Sequence, residues 1–109
     1  MKPVLDKAEV SIDFPDKAYM GSFGRHSGFE VRADGEEVLL KLAHSGGERR
    51  EFAMHVHYFL LADILAGVAE DLAAAPPLDE THREPLHTAA KALSAALKRK
   101  ARKPRKPKA

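Results

Sequence analysis

The longest apolar pattern in the chain runs from Glu51 to Ala75, EFAMHVHYFLLADILAGVAEDLAAA. From Leu61 its apolar positions recur as Leu61, Ile64 with Leu65, Val68 and Leu72, the spacing that lines one face of an α-helix. Asp63, Gly67, Glu70 and Asp71 fall on the opposite face. One side of this helix therefore seeks a core, and a helix of this length draws most of its stability from burying such a stripe.

Upstream the period changes from 3.6 to two. Val10, Ile12 and Phe14 alternate with Ser11 and Asp13, as in a strand with one buried and one wet face, and Pro15 ends the run. After the turn residues Pro15 and Asp16, KAYMGSF reads as a second strand that Gly21 weakens. Phe29, Val31 and Ala33 alternate with Glu30 and Arg32 before Asp34-Gly35, a dipeptide that readily takes the positive φ angles of a tight hairpin. On the return, Val38, Leu40 and Leu42 share one face and Leu39, Lys41 and Ala43 the other. Ser45-Gly46-Gly47-Glu48 supplies the next turn, and Phe52, Met54 and Val56 alternate beyond it.

Residues 47–57 admit two readings. Ser45 and Glu48 also spell a capping box, with Phe52, Val56, Phe59 and Leu60 at helical spacing, which would extend the first helix back to about residue 47. The strand reading is preferred, since the alternation from Glu51 to His57 fits a hairpin partner for residues 37–43 and average helices are shorter. Pro76-Pro77 closes the first helix. Thr81-His82-Arg83-Glu84 is a second capping-box match, with Pro85 placed inside the first turn. Leu86, Ala89 with Ala90, Leu93, Ala96 and Leu97 then form a narrow, alanine-rich stripe suited to close helix pairing, so a homodimer is expected.

These elements predict an α+β fold. It comprises an antiparallel meander of four to five strands packed by one amphipathic helix, then a second helix and a disordered basic tail. Residues 1–77 hold the meander and first helix, 78–100 the second helix of the same domain, and 101–109 the tail, where two prolines interrupt a run without apolar periodicity.

Charge adds a division that the period does not show. The net charge of +2 conceals a segment from Lys98 onward with eight basic residues and no acidic one. Positions 1–97 keep ten basic against all 16 acidic residues, a net of −6. Such asymmetry points to an interaction tail. Lys98, Arg99, Lys100, Arg102, Lys103, Arg105, Lys106 and Lys108 are accordingly the first candidates for contact with DNA or RNA, by charge and without sequence preference. Arg32 and Lys41 are the second, because they fall with His55 on the wet face of the sheet, where Tyr19 or Phe23 would add a ring for base stacking. Asp13 and Glu30 share that face and repel phosphate.

Other chemistry finds less support. His55-Val56-His57, with His44 in the pairing strand, has the i, i+2 spacing that aims two imidazoles at one ion, but no third ligand is named and a polar surface is the simpler reading. The glycines of residues 21–28 precede a strand, whereas phosphate loops draw their pull from a following helix. No catalytic motif appears in its structural context, and Glu36-Glu37 and Glu70-Asp71 sit in a turn and on a solvated face. No enzymatic activity, metal or cofactor is expected, and His26, His44, His55 and His57 are only the least implausible participants. The lack of cysteine removes disulfides and thiolate chemistry. No apolar run spans a bilayer, and Met1 to Val10 mixes Lys2, Asp6, Lys7 and Glu9, so a cytoplasmic protein without membrane contact is expected.

The functional expectation is a small non-enzymatic accessory or regulatory protein that associates with nucleic acid through its tail. Its rival is a protein-interaction module or homodimer with an acidic working surface and a merely solubilising tail.

Overall fold

Period-two alternation becomes two antiparallel sheets. The computed structural model describes residues 1–99. Its strands are β1 (Lys2–Pro3), β2 (Ala8–Asp13), β3 (Ala18–Phe23), β4 (Ser27–Ala33), β5 (Glu37–His44) and β6 (Arg50–His57), followed by helices α1 (Tyr58–Ala74) and α2 (Glu80–Leu97). The chain divides into two units, Met1–Gly67 and the segment from Val68 onward.

In the first unit, β4, β5 and β6 form the expected meander, with β1 along its outer edge in the order β1-β4-β5-β6. β2 and β3 form a separate two-stranded sheet instead of extending the meander. The reason is competition for one edge. Lys2 and Pro3 pair with Phe29 and Gly28, and the Val4 N–H reaches the Ser27 carbonyl at 3.0 Å, so the side of β4 that β3 would use is taken. β2 and β3 satisfy each other through the Phe14–Lys17 turn, where Pro15 supplies a preset φ.

Register sorts the sheet into two faces. Val31, Leu40 and Met54 stand opposite one another, as do Phe29, Leu42 and Phe52, and with Val38 and Val56 they make the apolar face. Glu30, Lys41 and Ala53, then Arg32, Leu39 and His55, make the other. The buried apolar side chains among the described residues are Phe23, Leu42 and Val56. Phe23 belongs to the β2–β3 hairpin, which lies against β5, and the Arg50 guanidinium sits 5.9 Å from the centre of its ring. Arg50 also donates from Nε to the Ser22 carbonyl at 2.9 Å.

Residues 50–57 pair with β5 along their whole length, so the strand reading holds and the helix begins at Tyr58. Ser45 and Glu48 cap nothing there; Gly47, at φ 65°, turns the chain between β5 and β6. The hairpin at Asp34-Gly35 forms by a different device from the one expected. Gly35 does not take a left-handed φ, and the Asp34 carboxylate instead accepts the Glu36 and Glu37 N–H groups at 2.7 and 2.9 Å.

Within the first unit the stripe of α1 is covered only in part, with Leu61 half-buried. No residue of α1 is buried, and Leu60, Ile64 and Leu65 are 56%, 44% and 44% exposed. β6 passes into α1 without an intervening residue.

In the second unit, α2 starts one residue before Thr81, and Asp79 is its N-cap. The Asp79 carbonyl accepts from the His82 and Arg83 N–H groups at 3.1 and 2.9 Å. Thr81 thus lies inside the helix and its capping box does not form. Pro85 falls beyond the first turn, where its missing N–H leaves the Thr81 carbonyl without an i→i+4 donor. A shallow groove of about 300 Å³ is lined by Leu72, Leu78, Leu86 and Ala90. No described helix is long and apolar enough to cross a membrane. The tail expected over residues 101–109 lies outside the described residues.

Phe23 is 2% exposed and Met20, on the opposite face of the same hairpin, 86%. Phe23→Ala is expected to cost about 3–5 kcal/mol in urea unfolding, and Met20→Ala to stay within about 0.5 kcal/mol.

Candidate functional site

The polar face of the sheet gathers the charged residues that alternation placed there. Arg32, Lys41 and His55 do share it. Each already faces a carboxylate: the Arg32 guanidinium lies 3.5 Å from Glu30, Lys41 Nζ 3.0 Å from Glu51, and His55 Nδ1 3.0 Å from Glu37. His57 Nε2 adds a second imidazole 3.5 Å from the other Glu37 oxygen. Cations and carboxylates alternate across this surface. Tyr19 and Phe23 belong to the other sheet, and Phe23 is buried, so neither places a ring among these cations.

Glu37 thereby acquires partners that its place beside a turn did not suggest. Alternation of β6 aims His55 and His57 to one side, and the start of β5 sets Glu37 directly opposite His57. Its carboxylate orients both rings on a surface open to water. His44 does not join them. It pairs with Ser27 and Arg50 at the far end of β5, on the other face, where its Nδ1 lies 3.0 Å from the Ser27 hydroxyl. The Ser27 hydroxyl is buried and also accepts the Gly24 N–H at 3.1 Å, which tightens the connection from β3 to β4. His26 in that connection takes φ 70°, a left-handed backbone on a non-glycine residue. Among the described residues, no group of three or more His, Asp or Glu side chains is placed to hold a metal ion.

Below the polar face, the β4–β5 turn is tied to the start of α1. The Tyr58 hydroxyl donates to the Asp34 carbonyl, next to the carboxylate that holds the turn. The N–H groups of Glu36 and then Glu37 keep the Asp34 carboxyl below its ordinary range, and the nearby His57 and His55 act in the same direction. Asp79 is lowered similarly by its hydrogen bond to His82, and Glu80 by Arg83. These groups fasten turns and a helix start rather than line a cleft.

The apolar face is the more open surface. Val31 and Met54 on it are 55% and 40% exposed, and a groove of about 440 Å³ runs between Val4 with Leu5 and the side chains of Phe29, Leu40 and Leu42. The basic cluster stands apart from both faces in sequence. Lys98 forms the C-cap of α2, with its N–H on the Ser94 carbonyl at 3.1 Å, and Arg99 follows it; both are exposed. Lys100, Arg102, Lys103, Arg105, Lys106 and Lys108 lie outside the described residues. Arg50, which carries the hairpin, was not marked by any sequence motif. Its only signal is a cation on the apolar side of an alternating strand.

The chain matches no known protein-family model, no curated protein and no solved structure.

Because the Asp34 carboxyl is held below its ordinary pKa of about 3.9, its contribution to stability is fully present above that value and is lost as pH falls through the depressed folded value. Asp34→Ala is therefore expected to lower the melting temperature at neutral pH and to flatten its decline below about pH 4, as followed by circular dichroism.

Proposed function

We propose that this chain is a small non-enzymatic accessory or regulatory protein of the cytoplasm that associates with nucleic acid through its Lys/Arg-rich C-terminal segment. The observation that carries the reading is the separation of charge, with eight cations and no carboxylate from Lys98 onward against a net of −6 before it. A polyanion is repelled by the body and attracted by the tail. The state of the sheet face supports the same assignment, since Arg32 and Lys41 each lie beside a carboxylate, whereas the tail has no acidic side chain to compete with phosphate. Recognition is by charge, so DNA and RNA are bound with little regard to sequence.

A second reading, self-association as a homodimer, is favoured by a separate observation. The first unit leaves Ile12, Tyr19, Val31, Met54, Ile64 and Leu65 between 40% and 55% exposed while burying three apolar side chains. Surfaces of that kind mark interfaces more often than solvent-facing walls. The two readings are compatible, and a dimer would carry two tails.

Fluorescence anisotropy on labelled duplex and single-stranded oligonucleotides tests the first. Log K is expected to fall with log salt at a slope of about −4 to −7. Deleting Lys98 to Ala109 is expected to abolish binding and to leave thermal stability little changed. Equal affinity of the truncated and full chains, or no binding by either at low salt, overturns the nucleic-acid reading. A preference for single strands transfers the contact to Arg32, Lys41 and the sheet face.

A further inference from the structure

The two edges of the four-stranded sheet are unlike. One is β1, only two residues long and composed of Lys2 and Pro3, a combination that blunts strand addition. The other is β6, eight residues long, without lysine or proline, and paired with β5 in unbroken register from Arg50 to His57. Alternate N–H and C=O groups of an edge strand point away from the sheet. Among the described residues, none of those on β6 meets another backbone group outside its own sheet. The β2–β3 hairpin lies against β5 and borders Arg50, Glu51 and Phe52, but its strands pair only with each other and leave the backbone groups of β6 unpaired.

We infer that β6 pairs edge to edge with β6 of a second copy, antiparallel, about a two-fold axis at Ala53. The inference rests on the self-association reading and assigns its surface. The central five residues of the strand, Glu51 to His55, are self-complementary in that register. Ala53 faces Ala53, so the smallest side chain of the strand sits at the axis. Glu51 faces His55 twice, and Phe52 faces Met54 twice. The polar pairs extend contacts already made within each chain. Lys41 holds Glu51 at 3.0 Å and Glu37 holds His55 at 3.0 Å, so the joined edge carries a row of polar partners: Lys41, Glu51, then His55 and Glu37 of the other copy. Moving the axis to Glu51 sets Glu51 against Glu51, which like charge disfavours, and moving it to His55 takes the imidazole away from Glu51. Moving it to Met54 leaves His55 facing Ala53. On the other side of the sheet, the axis at Ala53 joins the two apolar faces into one continuous surface. A two-fold of this kind is closed, which ends strand addition at two copies.

The absence of cysteine gives a clean test on the full-length chain. Ala53→Cys brings two thiols face to face across the axis, and mild oxidation is expected to give a disulfide-linked dimer on a non-reducing gel. Met54→Cys places its Cα atoms about 8 Å apart in the same register, from the strand rise and the inter-strand spacing. That exceeds the reach of a disulfide, about 7 Å. It is therefore expected to remain unlinked. Light scattering of the cysteine-free chain is expected to give twice 12.0 kDa. A dimeric mass with no link at Ala53→Cys, or with linkage at Met54→Cys instead, overturns the edge pairing and leaves self-association standing. A mass of 12.0 kDa at micromolar concentration overturns both.

Discussion

The first unit depends on the seating of Phe23. A two-stranded hairpin is marginal in water, and β2 with β3 is such a hairpin, bonded to no other strand. It is held by one buried ring and by Arg50, whose guanidinium lies over that ring while its Nε takes the Ser22 carbonyl. The cation here is structural. Its charge is spent on a π face and a carbonyl, and its aliphatic stem covers apolar surface as arginine side chains commonly do. Phe23 shares a groove with Phe52 on the apolar face, where Val31 and Met54 stay open.

From this follows a division of roles between surfaces. On the polar face nearly every cation is matched with a carboxylate a few ångströms away, which fits a surface that stays solvated and keeps the strands in register. Such pairs are worth little individually to stability, being largely exposed. Their effect is to leave that face without a field of one sign. The field of one sign belongs to the segment after α2, separated from the sheet by both helices in the sequence.

Much of the architecture was legible because alternation and helical spacing are local. Val31, Leu40 and Met54 on one face, and Arg32, Lys41 and His55 on the other, follow from parity once β4, β5 and β6 pair as hairpins. What was not legible was non-local. That Lys2 and Pro3 would occupy the edge of β4, and so force β2 and β3 into their own sheet, is a contest between segments some 25 residues apart. The fate of the α1 stripe was equally hidden, since periodicity says which side of a helix is apolar and not what meets it. The cap moved two residues upstream of Thr81 to Asp79, which makes no side-chain capping bond but gives its carbonyl to the His82 and Arg83 N–H groups. Glu37 looked like a solvated turn residue until register brought His57 opposite it and His55 within reach.

β6 passes directly into α1, His57 of the strand being followed by Tyr58 of the helix. Loops absorb changes in chain length, and this junction has none to absorb them. A single residue inserted into β6 would exchange its two faces, and the same insertion at the head of α1 would turn the stripe of Ile64 and Leu65 by about 100°. Length is therefore constrained through β6, where parity decides which face each side chain joins. Across diverged copies of this fold, insertions and deletions should gather in the turns before Arg50, while β6 keeps its count.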